Sequence, residues 1–334
     1  MKIGIIARLG IPVAKNSYGY YSRLHYLANG LVDRGHEVVV LGAPGSQIKG
    51  KLVSAKIKKI NWETELATYL DFFKQYGDKL DIINCQTDHM CCFFAPLVKA
   101  GVVHTIIFGG FWDEVEEALH KVKYQYFMTI SQGNKKRYPY LNWQDVIYNG
   151  IDIKRFKFNE YPKDYLLFLS RVCKDKGVED AIKLARQTKS KLIIAGRPES
   201  EDYFQRAIKP CLNKNIEYFG IADFKEKIEL FRNARALIHP HLAPEGFGNS
   251  IVESQACGTP VIAYPYGSTS EVIKNKKTGF IVNNYQEMKK AVKDIDKIDR
   301  KNCRRFVEDK FTLERMIDNY EKLFKKIAKK KKAI

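Results

Sequence analysis

The sequence predicts an α/β protein made of two doubly wound, Rossmann-like parallel sheets. Three observations carry that prediction. The chain has 334 residues, more than one hydrophobic core usually serves. Short apolar runs alternate with segments whose apolar residues recur at helical spacing, the pattern of repeated βαβ units. The alternation breaks once, at the polar, mixed-charge stretch KRFKFNEYPKD (154–164). That break divides the chain into an expected first domain, 1–155, and a second, 156–311, with a C-terminal helix at about 312–330 packing back on the first.

The elements follow in order. KIGIIA reads as the first strand, and RLGIPVAKNSYG, with Gly10, Pro12 and Gly19, as the loop after it. YYSRLHYLANGLVDRG places Leu24, Leu27 and Leu31 on one helical face and stops at Gly35. HEVVVLG is the next strand, and the unit implies parallel pairing. Strands are expected at 81–86, 102–109 and 126–131, and at 145–152, where DVIYNGID ends in a turn. The second series runs from strand 165–170 through helix 177–188, strand 191–196, a helix over about 200–212, strand 216–220, helix 224–234 and strand 236–240. A helix starting near Asn249 and ended by Gly258, an apolar strand and GFIVN (279–283) complete it, and a last helical stretch spans 312–327. Ligand sites in such sheets lie at the carboxyl ends of the strands.

Composition narrows the class. No apolar run is long enough for a bilayer, and the N-terminus lacks the pattern of a secretory signal, so a cytoplasmic protein is expected. Seven scattered cysteines suit buried, reduced thiols; Cys85, His89, Cys91 and Cys92 lack zinc-motif spacing. A net charge of +19 favours anionic partners. Part of it sits in EKLFKKIAKKKKAI, where Lys325, Lys326 and Lys329 to Lys332 flank Leu323, Phe324 and Ile327. That tail fits either an anionic membrane surface or a solvated helix end. The lysines follow no nucleic-acid motif, so nucleic acid is not an expected partner.

The chemistry concentrates in APEGFGNSIVESQACGTPVIA (243–263). Glu245 precedes a glycine-rich turn, Gly246 and Gly248, and Glu253 lies one turn inside the helix that follows. Amides at a helix start attract phosphate, glycines let backbone approach a ligand, and carboxylates accept bonds from adjacent sugar hydroxyls. The set fits a nucleotide sugar. FLSRVCKDKG (168–177) adds Arg171 and Lys176 just past a strand of the same sheet, two cations suited to a diphosphate. In the first domain Gly19 opens a helix whose start suits a phosphate or an acceptor, beside Tyr18, Tyr20 and Tyr21, which suit either stacking on a sugar face or core packing. GxGxxG is absent there, which disfavours a dinucleotide oxidoreductase.

Taken together, EGFGNSIVE, SRVCKDKG, YNGID (148–152), GSTSEVIKNKKTGFIV (267–282) and YGYYSRLHYLANGLVDRGHEV resemble the retaining glycosyltransferases of family 4, over nearly the whole chain. The resemblance implies the GT-B fold, two facing Rossmann-like domains with a cleft between them. It implies transfer of a sugar from a UDP- or GDP-sugar to a hydroxyl of a glycan or lipid, with no metal or other cofactor. Glu253 would hold the ribose, Glu245 the transferred sugar, and Arg171 and Lys176 the diphosphate. The backbone of Gly246, Phe247, Gly248, Asn249 and Ser250 would contact sugar and phosphate. Two departures stand out: Gly19–Tyr20 replaces a glycine pair, and HTIIFGG sets Phe108 where many members carry histidine, leaving His104 as a structural residue. Asp294 and Asp296 spell DxD but read as surface. A nucleotide-sugar epimerase or glycoside phosphorylase on the same architecture remains an alternative.

Overall fold

The structure, a computed structural model, describes residues 1–17, 19–107 and 113–332. The chain divides into two compact units, Met1–Gly150 with Leu313–Ile334, and Ile151–Thr312.

The first unit holds seven strands, all paired in parallel: β1 (Lys2–Ile6), β2 (Glu37–Gly42), β3 (Lys51–Ser54), β4 (Ile82–Cys85), β5 (Gly101–Ile106), β6 (Tyr126–Thr129) and β7 (Trp143–Val146). Their order is β3-β2-β1-β4-β5-β6-β7, so the winding reverses between β1 and β4. The helices are α1 (Gly19–Asp33), α2 (Trp62–Tyr76), α3 (Asp113–Lys121) and α4 (Gln132–Arg137). Alternation along β1 explains the layering. Ile3 and Ile5 join Leu24, Leu27 and Leu31 of α1, whereas Ile6 joins Tyr69, Phe72 and Phe73 of α2.

The first strand's layer is completed from the far end of the chain. Met316, Tyr320, Leu323, Phe324 and Ile327 belong to the last helix and lie in the same core as Ile3 and Leu24. Gly30 permits the approach, since a Cβ there would meet Ile317 Cδ1 at 2.3 Å. Buried Arg23 ties three elements, donating to Gln86 Oε1 at 2.7 Å and to the Tyr320 hydroxyl at 3.0 Å.

The second unit has the order β10-β9-β8-β11-β12-β13, again parallel throughout. Its elements are β8 (Leu166–Leu169), α5 (Val178–Thr188), β9 (Leu192–Ala195), α6 (Glu201–Tyr203), β10 (Ile216–Gly220), α7 (Phe224–Asn233), β11 (Ala236–His239), α8 (Asn249–Ala256), β12 (Val261–Ala263), α9 (Thr269–Val272), β13 (Gly279–Ile281), α10 (Tyr285–Asp294) and α11 (Arg300–Lys310); α12 (Leu313–Lys332) returns to the first unit. Leu166, Phe168, Ile194 and Ile238 share a core with Ala181 and Ile182 of α5 and Met288 and Val292 of α10. Arg300 staples the other elements: its guanidinium donates to the carbonyls of Asn159, Arg232 and Ala234 and to Thr259 Oγ1, at 2.7–2.9 Å.

Several expectations are corrected. β3 was not foreseen, because four half-exposed edge residues carry little apolar signal. The helix expected over 200–212 is three residues of α6 continued by a π turn, 204–208, and a 3₁₀ turn ending at Cys211, beside Pro210. Asn249 is the first residue of α8; the N-cap is Gly248, at φ 79°. The Tyr20 hydroxyl donates to Gln86 O at 2.7 Å and accepts from Arg8 N, which ties the start of α1 to the loops after β1 and β4. Tyr18 lies outside the described residues. The apolar residues of the lysine tail are core: Leu323, Phe324 and Ile327 are buried, leaving Lys322, Lys325, Lys326, Lys329 and Lys330 outward. All seven cysteines are free thiols, six of them buried. Among the described residues, no helix is long and apolar enough to cross a membrane.

Candidate functional site

The second unit brings its carboxyl-end loops together by backbone contact. After β8 the chain runs to a 3₁₀ turn, Lys174–Lys176, and reverses at Gly177, φ 69°. A Cβ on Gly177 would lie 2.0 Å from Pro240 O, so the turn lies directly on the residue that follows β11. Leu242 N donates to Asp175 O at 2.8 Å, fastening the two loops. This aims Lys176 at the residues after β11. Its ammonium is 2.9 Å from Glu245 Oε2 and 3.3 Å from His241 Nδ1.

Glu245 is held from both sides. Its backbone bridges to Gly267, and Ser268 donates to its carbonyl through N at 3.0 Å and Oγ at 3.2 Å. A Cβ on Gly267, φ 65°, would meet Glu245 O at 2.2 Å. His241 Nδ1 lies 2.9 Å from Glu245 Oε2. A carboxylate oxygen that close requires the proton on Nδ1, so Nδ1–H donates and Nε2 is the bare nitrogen. The His239 ring lies against that of His241, centroids 3.4 Å apart and planes tilted by 32°.

The electrostatics follow. Burial alone would raise the Glu245 carboxyl's pKa, but the His241 bond and the Lys176 charge outweigh it and hold it well below the usual carboxylate range. Burial pushes both imidazoles down, His239 the further, with neighbouring charge adding to or opposing it. The site is therefore an ionised acid, a cation and two neutral rings at neutral pH.

Just beyond Glu245 lies the start of α8. Gly248 closes on it: a Cβ there would be 3.6 Å from Glu245 Cγ. Gly246 and Gly248 carry no side chain, Phe247 is buried against Phe311, and Asn249 and Ser250 form the first turn. First-turn amides have no acceptor four residues back within the helix, which with the helix dipole suits an anion. Glu253 sits on the same helix, its two oxygens 3.0 and 2.9 Å from Lys227 Nζ.

Of the expected site residues, the structure joins Lys176 to Glu245 directly. Arg171, side chain 56% exposed, pairs instead with Glu199, and Glu253 with Lys227. Gly19 opens α1 in the first unit. His104 is a core residue: it is fully buried on β5 and its Nε2 lies 2.7 Å from Gln125 Oε1. Phe108 and Gly109 fall outside the described residues. Asp294 and Asp296 pair with Lys297 and Arg235. The sequence reading missed His239, His241 and Lys227. HPH at 239–241 was the available signal, two histidines at period two on one strand face, four residues before Glu245. Two described groups could bind a metal, His239–His241–Glu245 and Cys173–Asp175–Glu199.

Comparison with known proteins agrees with this architecture. The family description "Glycosyl transferases group 1" matches residues 150–313. An uncharacterized glycosyltransferase of Methanocaldococcus jannaschii is 26% identical over 244 residues, covering 65% of this chain and 62% of its own, so the match spans about six-tenths of that relative. Among solved structures, sucrose-phosphate synthase from Thermosynechococcus elongatus superposes with a TM-score of 0.80 at 18% identity, covering 98% of both chains. Anabaena HepE in complex with UDP and glucose does so at 0.77 and 17%, covering 96% of this chain and 98% of its own. Two parallel doubly wound sheets and these superpositions establish the GT-B fold, and the domain that carries Lys176 and Glu245, residues 150–313, matches the glycosyl transferases group 1 family.

Proposed function

We propose that this protein is a retaining, metal-independent glycosyltransferase that moves a sugar from a UDP- or GDP-sugar to a hydroxyl of a glycan or lipid. The observation that carries the reading is the Lys176–Glu245 pair at the start of α8, 2.9 Å apart. A cation, an anion-seeking helix start and an ionised carboxylate stand together there. Those are the groups that a diphosphate and a sugar's hydroxyls require. The bound UDP and glucose of the Anabaena relative support the same class of donor.

In this reading the diphosphate lies at the amides of Gly246 to Ser250, with Lys176 and Arg171 as its cations. Arg171 leaves Glu199 to do so, a small loss because that pair is exposed. Glu253 accepts from the ribose hydroxyls, with Lys227 Nζ 3.0 Å from its Oε1. The acceptor oxygen forms its bond to the anomeric carbon on the face from which the phosphate oxygen departs. The acceptor's proton goes to that departing oxygen, so no protein base is needed. Lys176 and Arg171 stabilise the leaving diphosphate, and Glu245 orients the sugar.

The test is turnover of UDP- and GDP-sugars with candidate acceptors. Glu245→Gln and Arg171→Ala are each expected to lose about 100-fold or more in transfer, with unchanged circular dichroism. Normal turnover by both variants would refute these roles. Donor conversion without acceptor would identify an epimerase instead, and a strict need for inorganic phosphate a phosphorylase.

The outward lysine face of α12 supports a peripheral position on anionic membrane. Replacing Lys322, Lys325, Lys326, Lys329 and Lys330 by Gln should abolish co-sedimentation with phosphatidylglycerol vesicles; equal sedimentation would remove this part of the reading.

A further inference from the structure

We propose that His239, His241 and Glu245 form a site for one divalent transition-metal ion of the zinc type, which binds in competition with the Lys176 ammonium. The first ground is placement. One ligand atom from each residue lies within 4.8 Å of the others. A tetrahedral zinc with bonds of about 2.0–2.1 Å holds its ligands roughly 3.4 Å apart, so side-chain rotation closes the set. Two imidazoles and a carboxylate are a donor set that zinc accepts, and three protein ligands leave a fourth position for water.

The second ground is unsatisfied polarity. His239 and His241 are 2% and 4% exposed, and the Nε2 atom of each is buried with no hydrogen-bond partner. A buried bare nitrogen costs free energy unless something fills its lone pair. The hydrogen bond from His241 Nδ1–H to Glu245 leaves Nε2 as that bare atom. Burial also keeps both rings neutral, which is the ligand form.

The third ground is the resident cation. Lys176 Nζ stands 2.9 Å from Glu245 Oε2, the carboxylate oxygen that a metal would claim. A divalent ion and an ammonium repel at that range, so one excludes the other. The Lys176 side chain is 15% exposed and its long stem can swing outward. The site itself stands apart from the transferase reading. Resting on that reading is one consequence: zinc would take Lys176 from Glu245 and inhibit transfer.

The test needs no donor and no turnover. The full chain, freed of metal with chelator, is titrated with Zn²⁺ by calorimetry and with Co²⁺ by visible absorption, whose intensity reports tetrahedral coordination. One ion per chain is expected. His241→Ala and His239→Gln should each weaken binding at least about tenfold. Lys176→Met removes the competing charge and no ligand, so it should tighten binding several-fold. This arm does not depend on the histidine variants folding. Glu199→Gln should change nothing. Failure to bind, binding undiminished in His241→Ala, binding lost in Glu199→Gln, or affinity unmoved by Lys176→Met would each overturn the proposal.

Discussion

Glu245 stays ionised in a partly enclosed place because a neutral imidazole and an ammonium address the same oxygen. Remove either and the carboxylate loses a charge-assisted bond worth about 1.5–3 kcal/mol. At the same scale, His104 makes a pH prediction. Burial lowers its pKa to about 4, while the unfolded chain takes that proton near 6.5. Its neutral form is therefore compatible with folding at full stability above about pH 6.5. As pH falls from there toward 4 the unfolded state binds the proton first and stability declines. Between pH 7 and 5 this contributes a loss of about 2 kcal/mol. Urea midpoints of wild type and His104→Gln across that range should differ in slope by this amount; parallel curves would exclude it. Arg300 offers a second test. Its guanidinium serves three backbone carbonyls and Thr259, and Arg300→Met is expected to cost about 2–4 kcal/mol, read as a lower melting temperature.

At the scale of elements, two glycines hold the site's loops in place. Gly177 has φ 69° and no room for a Cβ against Pro240 O, and Gly267 has φ 65° and none against Glu245. Gly177→Ala should push the β8 loop off the β11 loop and separate Lys176 from Glu245. Gly267→Ala should shift Glu245 itself. Each is expected to lower transfer at least about tenfold while the circular dichroism spectrum is kept, since the strain is local and on the order of 1–3 kcal/mol. Wild-type kinetics in both would show that loop placement is immaterial. The start of α8 was legible as a glycine-rich turn before a helix. That Gly248, and not Asn249, caps it was not, because both residue types serve as caps and only the backbone conformation decides.

At the scale of the molecule, the chain's two ends share a core. The apolar face of α12 fills the layer over β1 with Tyr320, Leu323, Phe324 and Ile327, each buried. Fully burying side chains of this size contributes about 1.5–3 kcal/mol apiece, so their sum is comparable to the 5–15 kcal/mol stability of a domain. A fragment of residues 1–150 is therefore expected to be insoluble or unfolded, and co-expression with 313–334 to restore it. The fragment 151–312 contains its own closed set of strands and helices and is expected to fold alone. Cooperative melting of 1–150 by itself would show that α12 is dispensable.

The one-dimensional pattern determined the α/β class, most strands of both sheets, the two acids about α8 and the cations after β8. Burial imposes a period on local sequence, so the residues report it directly. Only the tertiary structure decided which of those charges meet. Lys176 and Glu245 are 69 positions apart, and their contact depends on the Gly177–Pro240 approach and on a crossover that no local period records. The same holds for the contact of His239 with His241, for Arg171 turned to Glu199 and Glu253 to Lys227, and for the burial of Phe324 beneath its lysines. Partner choice is set by three-dimensional proximity in competition among many similar charges, and a sequence carries the charges without the distances.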